Sequence, residues 1–191
     1  SIYDLDFILF SGKDHILEKM DNLVFRIGPK SFFQTNTSQG LVLYRLVKDY
    51  ASLKGDETVY DLYTGTGTIA ILLASLARNV IGIESVDKAV ADARINSSSN
   101  KISNALFICS DIREVLNEDL FKKEGYPDVI VTDPPRAGMH PDVVKSILIA
   151  SPKKIIYISC NPATQARDIS LLSSQYEIQK VQPIDMFPQT Y

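Results

Sequence analysis

The sequence predicts an α/β fold with a mostly parallel sheet and helices on both of its faces. From Glu57 onward, short apolar runs alternate with longer segments that have helical periodicity. Such alternation is typical of parallel strands joined by helices. The chain has 191 residues, 45% of them hydrophobic, which suits one domain with an adequate core.

Residues 1–53 differ in character from the rest and are predicted to form an N-terminal hairpin and helix of the same domain. The runs His15–Met20 and Leu23–Ile27 predict two short strands. An Asp-Asn pair separates the two runs and predicts the turn of a hairpin.

The segment SFFQTNTSQ, residues 31–39, leads into an amphipathic helix. Thr37 or Ser38 is expected to cap the start of this helix with its hydroxyl group. The predicted apolar stripe of the helix consists of Leu41, Tyr44, Leu46, Val47 and Tyr50.

Residues 54–191 are predicted to form the core with the alternating pattern. The predicted strands are Thr58–Leu62, Asn79–Ile83, Ala105–Cys109, Asp128–Thr132, Lys154–Ser159 and Tyr176–Ile184. The predicted helices are Thr68–Ala77, Asp87–Asn100, Asp111–Leu120, Pro141–Ala150 and Pro162–Gln175. Ligands of open parallel sheets bind at the edge where the carboxyl ends of the strands meet.

Composition narrows the class of protein. No apolar run is long enough to span a bilayer, and the N-terminus lacks the blocks of a signal peptide. Two cysteines are too few for a disulfide framework, which favours a reducing, cytoplasmic compartment. No paired Cys or His spacing indicates zinc, so no metal is expected. The net charge of −3 is not that of a protein that holds nucleic acid by charge alone.

A glycine-rich segment follows the first strand of the alternating region and opens a helix. Gly65 and Gly67 permit a tight turn and let a ligand approach the backbone closely. Glu84 closes the next strand, where a carboxylate can accept both hydroxyls of a ribose. Asp111 follows the third strand and is placed to accept from an adenine amino group. Each position alone fits an ordinary turn or a solvated carboxylate, but together they indicate a site for a ribose and an adenine.

Two ligands compete for this site. Gly65, Gly67 and Ala70 satisfy G-x-G-x-x-G/A, with Glu84 at about the spacing expected for NAD. S-adenosylmethionine (AdoMet) needs the same ribose contact but no pyrophosphate site. Asp61, directly before the glycines, favours AdoMet, because a carboxylate attracts its ammonium and sulfonium charges and would repel a pyrophosphate.

Two further residues follow the last pair of core strands. Asp133 begins the run DPPR, whose two prolines predict a stiff loop just after a buried strand. Cys160, in YISCNP, follows an apolar strand that Asn and Pro terminate, so its thiol is predicted to point out of the sheet. A helix that begins near Pro162 is positioned to favour the thiolate through its dipole. Cys109 lies inside a strand pattern and is predicted to be a small buried residue.

A thiol at this edge indicates a particular chemistry. Carbon 5 of a pyrimidine is not nucleophilic, whereas a thiolate that adds to carbon 6 turns the ring into an enolate. Carbon 5 can then accept the methyl group of AdoMet, after which a base removes the carbon-5 proton and the cysteine leaves. Methylation of an exocyclic amine needs no such nucleophile, and Arg136 stands where an aromatic residue would favour that reaction.

The runs SFFQTN, DLYTGTGTIA, VIGIES, DVIVTDPPRAG and YISCNP resemble, in order, those of the RNA 5-methyluridine (uracil-C5) methyltransferases. The resemblance implies a Rossmann-like class I AdoMet-dependent methyltransferase fold and methylation of uridine carbon 5 in RNA. It implies RNA as the partner, and 23S ribosomal RNA is favoured over transfer RNA as the substrate. No membrane partner is expected.

The resemblance also assigns roles to individual residues. It implies that Gln34 contacts the methionine part of AdoMet and that Tyr63 lies beside the cofactor in the glycine loop. By the same resemblance, the cofactor-binding residues also include Gly65, Glu84, Asp111 and Asp133, and the catalytic nucleophile is Cys160. Without it, Gln34 would be interpreted as a surface amide and Tyr63 as a core aromatic residue.

The resemblance has three departures. Thr68 stands where some members have Asn. Family members usually begin with an oligonucleotide-binding barrel, and several carry an iron–sulfur cluster held by four cysteines; neither is expected here. The family's general base is a glutamate a few residues after a run like MFPQTY, beyond Tyr191. The chain is therefore expected to be a catalytic-domain fragment of weak or no activity on its own.

Two alternative functions remain open from the sequence. A non-catalytic module that binds AdoMet or RNA would explain a missing base but not the cysteine. An NAD-dependent oxidoreductase has the glycine loop as its only support.

Overall fold

A computed structural model of the chain describes residues 8–190. Within that range, five parallel strands form one sheet in the order β5-β4-β3-β6-β7, and an antiparallel hairpin, β1-β2, lies beside it. The strands are β1 Ile16–Met20, β2 Leu23–Ile27, β3 Thr58–Leu62, β4 Asn79–Glu84, β5 Ala105–Cys109, β6 Val129–Thr132 and β7 Lys154–Tyr157. The predicted α/β class and the predicted hairpin are therefore confirmed.

Helices cover both faces of the sheet because successive side chains of a strand point to opposite faces. Val59 and Val80 face a core shared with the first three helices, whereas Tyr60 and Ile81 face a core shared with the fourth to the seventh. The helices are α1 Thr37–Ala51, α2 Thr68–Ala74, α3 Asp87–Ser99, α4 Ile112–Val115, α5 Glu118–Glu124, α6 Pro141–Ala150 and α7 Pro162–Leu172.

The predicted strand Tyr176–Ile184 is wrong. The structure has no strand there, and the residues between 177 and 183 are exposed. A strand requires a hydrogen-bonded neighbour, and alternation of residue types does not supply one. The segment is held by other contacts: Ile184 packs against the core, and the Asn36 side chain donates to the Met186 carbonyl at 3.0 Å.

Local capping corrects two predicted helix boundaries. Helix α1 is capped by Asn36, whose side chain accepts from the Gln39 N–H, and not by Thr37 or Ser38. The predicted helix Asp111–Leu120 is two helices, because Asn117 leaves the helical conformation and caps α5. Asn favours such non-helical capping positions over helix interiors.

A polar ladder on α3 joins the N-terminal hairpin to the core. The ladder consists of Asp92 and Asn96 on one face of α3 and Asn100 at its C-cap, each four residues after the last. Their side chains bond to alternate residues of the β2 strand and its extension. Asn96 accepts from the Arg26 N–H at 2.6 Å and donates to the Arg26 carbonyl at 3.0 Å. Four helical residues rise about 6.0 Å and two strand residues about 6.6 Å, so the two spacings match.

We expect Asn96→Ala to lower the free energy of unfolding by about 2–4 kcal/mol, because it leaves the part-buried backbone groups of Arg26 and the buried carbonyl of Thr66 without partners. Asn100→Ala is the matched control. It removes an equivalent pair of bonds to Val24 at an exposed position, where water replaces them. It also removes one part-buried bond to the Asn96 carbonyl, so it should cost about 1 kcal/mol. Urea denaturation measures both; equal losses would contradict the role of burial.

The predicted division into residues 1–53 and 54–191 stays a prediction. Residues 1–7 of the first part and Tyr191 lie outside the described residues. The ladder shows that the hairpin packs on the alternating region through hydrogen bonds.

Candidate active site at the carboxyl edge of the sheet

The sheet order determines the order of the predicted site residues along its carboxyl edge. Asp111 follows β5, Glu84 ends β4, the glycine loop follows β3, Asp133 follows β6 and Cys160 follows β7. Adjacent strands lie about 4.8 Å apart. The structure therefore arranges these positions as one row, with the carboxylates Asp111 and Glu84 on one side of the glycine loop and Asp133 and Cys160 on the other.

The glycine loop is built from residues in the left-handed conformation. Tyr63, Gly65 and Gly67 have φ angles of 63°, 55° and 79°. A Cβ on Gly67 would lie 2.9 Å from the Phe107 ring, so the backbone touches β5 at this point. Burial and the nearby Asp111 carboxylate raise the pKa of Tyr63 to about 12, which keeps its phenol neutral.

Two carboxyl groups lie next to this loop, the buried Asp61 and the half-buried Asp133. Asp61 accepts from the Thr64 hydroxyl at 2.5 Å and the Ala70 N–H at 3.0 Å through one oxygen. Its other oxygen is buried and has no hydrogen-bond partner among residues 8–190. Burial and the charges of Asp133 and Glu84 raise the pKa of Asp61 to about 7, and burial raises that of Asp133 to about 6. Within the described range, no Lys or Arg forms an ion pair with Asp61, Glu84 or Asp133.

These shifts predict that stability falls as pH rises from 5 to 8. A carboxyl whose pKa is raised on folding stabilises the fold fully below its unfolded pKa, near 3.8, and this contribution is lost as pH rises through the folded pKa. Carboxyls whose pKa is lowered, such as Asp111 at about 2, titrate below this window. We expect a loss of at least ~1 kcal/mol, measured by urea denaturation. Asp61→Asn should flatten the slope, and an unchanged slope would contradict the assignment.

The two carboxylates on the β4 and β5 side are held by different contacts. Glu84 accepts from the Gly65 N–H at 3.2 Å and from the N–H groups of Ser85 and Val86, so it connects the glycine loop to the start of α3. Asp111 caps α4 and forms a two-pronged pair with Arg113, which lowers its pKa to about 2. Their predicted roles toward ribose and adenine stay predictions.

The segment that carries Gln34 lies over the glycine loop. The Phe32 carbonyl oxygen is 3.9 Å from the position of a Cβ on Gly65. Gln34 is half-buried, and its Cβ would be 3.3 Å from a Cβ on Gly40 in α1. The segment is also bonded to α3, because the Ser31 hydroxyl donates to the Asp92 carboxylate at 2.7 Å. The structure therefore brings Gln34 to the same edge as Gly65.

Cys160 is exposed at the start of the turn between β7 and α7. Asn161 caps α7 by accepting from the Ala163 N–H, and Pro162 occupies its first turn. Cys160 therefore directly precedes the N-cap of an 11-residue helix, at the positive end of the helix dipole. The prediction that Cys109 is buried is wrong: it is exposed at the end of the edge strand β5, with its sulfur 3.9 Å from the Ser85 carbonyl oxygen.

Two absences can be stated for residues 8–190. No helix there combines the length and the apolar character needed to cross a membrane. In the same residues, no group of His, Cys, Asp and Glu side chains is arranged to hold a metal ion.

The sequence interpretation missed three sets of polar residues around the site. These are the α3 ladder, the cap residue Asn36, and Asp168, which is completely buried on α7 beside the DPPR loop. The recurrence of polar residues every four positions in α3 was a usable signal, but it does not say what the face contacts.

Known proteins match this chain over most of its length. A family model described as tRNA (uracil-5-)-methyltransferase matches residues 11–191. Uncharacterized RNA methyltransferases of Bacteroides thetaiotaomicron and Porphyromonas gingivalis are 55% and 52% identical over all of this chain. The chain spans 42% of the length of each.

A solved structure shows the same fold. The Pyrococcus abyssi tRNA (uracil-54, C5)-methyltransferase, in complex with S-adenosyl-L-homocysteine, is 38% identical and superimposes with a TM-score of 0.80. The match covers 93% of this chain and 41% of that protein. The predicted methyltransferase fold and the predicted resemblance are confirmed. The chain belongs to the tRNA (uracil-5-)-methyltransferase family.

Proposed function

We propose that the chain methylates carbon 5 of a uridine in RNA, with Cys160 as the nucleophile that adds to carbon 6. AdoMet is the methyl donor of the family, as the sequence predicted. The observation that most supports the proposal is the neighbourhood of the thiol. Strand β7, which precedes the exposed Cys160, pairs directly with β6, which precedes Asp133, at the edge that holds the glycine loop.

The acidic site fits a cationic cofactor. Asp61 has a buried oxygen without a partner in the described part of the chain, and Asp133 has no side-chain hydrogen bond there. A ligand with positive charge would stabilise both as carboxylates. We assign the methionine part to Gln34 and Asp61, the ribose to Glu84 and the adenine to Asp111, with Tyr63, Gly65 and Asp133 beside them.

The cofactor supplies a methyl group bonded to a positively charged sulfur. Cys160 adds its thiolate to carbon 6 of the uracil ring, and the electrons of the 5,6 double bond move into the enolate. Carbon 5 thereby becomes the nucleophile. After methylation, a base removes the carbon-5 proton, the double bond re-forms, and the thiolate leaves.

The same geometry weighs against NAD. A pyrophosphate would lie beside Asp61, Glu84 and Asp133, for which the described residues offer no Lys or Arg ion pair. An exposed thiol at a helix start would also have no part in hydride transfer. A non-catalytic module is disfavoured because it gives no reason for Cys160 to stand exposed at this edge.

Trapping of the cysteine adduct tests the proposal. The chain is incubated with AdoMet and an RNA that carries 5-fluorouridine, and the masses of the products are measured by mass spectrometry. Fluorine blocks the final elimination, so the adduct needs the nucleophile but not the base. The expected product is one covalent complex of chain, RNA and one methyl group, attached at Cys160. Absence of an adduct despite AdoMet binding by calorimetry would favour the non-catalytic module.

The class of RNA needs a separate experiment. The ribosomal preference predicted from the sequence stays a prediction, and the Pyrococcus abyssi neighbour is, by its name, a methyltransferase of tRNA. A panel of 23S ribosomal RNA fragments and tRNA transcripts, scored by adduct yield, distinguishes the two. A target inside a folded RNA must be unstacked before it reaches Cys160.

A further inference from the structure

The loop after β6 and the loop after β7 are joined by a buried hydrogen-bonded cluster centred on Asp168. This side chain is on α7 and is 0% exposed. One of its oxygens accepts from the Met139 N–H and from the Tyr157 hydroxyl, both at 2.7 Å. The other accepts from the Arg167 guanidinium at 2.9 and 2.7 Å.

The partners of Asp168 flank the two proposed reaction residues. Tyr157 ends β7, three residues before Cys160, while Met139 lies in the loop that Asp133 begins. Arg167 extends the cluster by donating to the Ala137 carbonyl at 2.9 Å and the Met139 carbonyl at 3.3 Å. A single buried carboxylate therefore joins the ends of both loops.

A second set of bonds joins the same loops at their other ends. The Arg136 carbonyl accepts from the Asn161 side chain and from the Thr164 hydroxyl, each at 3.1 Å. Asn161 directly follows Cys160. The chain packs so closely here that a Cβ on Gly138 would lie 2.6 Å from both Arg167 and Asp168. The cysteine loop is thus fixed on both sides against the DPPR loop.

A buried charge is a costly way to hold two loops together, since apolar packing of the same volume stabilises a fold as well or better. What the charge adds is direction: four donors from three segments are aimed at one carboxylate. We propose that Asp168 is a positioning residue that holds the Cys160 loop in register with the DPPR loop for attack on the uracil ring. This inference rests on the proposed function of Cys160.

Two graded variants test the role of Asp168. Asp168→Asn keeps the size but removes the charge that pairs with Arg167, and Tyr157→Phe removes one donor and keeps the ring. Because misplacement by about 1 Å can cost about 10²-fold in rate, we expect Asp168→Asn to slow the 5-fluorouridine adduct about 10²-fold and Tyr157→Phe about 10-fold. The dissociation constant of AdoMet should change less than about threefold, since Glu84, Gly65 and Asp61 lie on the β3 and β4 side of the edge. Asp133, at the start of its loop, is held separately by its N–H bond to the Leu62 carbonyl of β3.

The matched control is Glu118→Gln, an exposed carboxylate on α5 that pairs with Lys122 and has no contact with the cluster. It should leave the adduct rate unchanged. An Asp168→Asn rate within twofold of this control, in folded protein, would overturn the proposal. The proposal would also be overturned if Asp168→Asn and Tyr157→Phe both weakened AdoMet binding and lowered the melting temperature, because that pattern indicates general destabilisation.

Hydrogen exchange separates this proposal from the proposed function. If the unmodified chain forms no adduct, the function of Cys160 fails, and exchange still decides the role of Asp168. Faster exchange in Asp168→Asn, confined to residues 136–140 and 158–163, would support the positioning role. Unchanged exchange in both loops would overturn it.

Discussion

Replacement of Cys160 by Ser is expected to reduce methylation of uridine by on the order of 10⁴-fold or more, the scale seen when a covalent nucleophile is removed. A serine hydroxyl at this position is a much weaker nucleophile toward carbon 6 than the cysteine sulfur. AdoMet binding should persist, because the acidic site lies on the neighbouring strands. Tritium transfer from labelled AdoMet to RNA, measured in a version extended to the length of its relatives, provides the rate.

The chain provides its own control for this substitution. Cys109 is also exposed and also lies at the carboxyl edge of the sheet, but β5 and β7 are at opposite ends of the strand order. Cys109→Ser should leave methylation unchanged and should leave Cys160 as the single site of alkylation by iodoacetamide. Residual methylation by Cys160→Ser near the rate of Cys109→Ser would exclude the covalent route.

The substitution Gly67→Ala should lower the free energy of unfolding by about 2–5 kcal/mol. Two costs add at this residue. Its φ of 79° disfavours any side chain, and a Cβ would lie 2.9 Å from the Phe107 ring and 3.0 Å from Ala93. Both neighbours are buried in the core and cannot move away easily. Urea denaturation measures the loss, and calorimetry should show weaker AdoMet binding in the variant.

Gly65→Ala separates these two costs. Gly65 also has a left-handed φ, 55°, but the nearest atom to an added Cβ is 3.9 Å away. It therefore has the conformational cost alone, about 1–2 kcal/mol. If the two variants lose equal stability, contact with Phe107 does not matter and the glycine loop is less tightly packed than the structure shows.

The fold was predictable because its signals are local. Each core strand is a short apolar run, as in DVIVT before Asp133, and a continuous apolar run is the main sequence signal of a buried parallel strand. The placement of Glu84, Asp111 and Asp133 at one edge then follows from topology alone. The predicted strand at Tyr176–Ile184 failed for the complementary reason, since a strand at the edge of a sheet depends on a partner that its own residues do not reveal.

The polar contacts around the site were beyond sequence reasoning for a similar reason. Asp168 follows Arg167 in an ordinary helical sequence, and nothing local indicates that the carboxylate is buried while the arginine is half-exposed. Asn36 was overlooked as a cap because Thr37 and Ser38 are equally good candidates one and two residues later. Cys109 was misjudged because β5 is at the edge of the sheet, a property of strand order.

The match between α3 and β2 limits where this protein can change length. One extra residue between Asp92 and Asn100 would turn the following side chain by about 100° around the helix, away from its hydrogen-bond partner on the β2 side. One extra residue in β2 would turn the backbone groups that bond to the ladder side chains to the other edge of the strand. Insertions should therefore be tolerated at the hairpin turn or at the exposed residues 54–56. A library of single-residue insertions should recover folded clones there and none within the paired stretch.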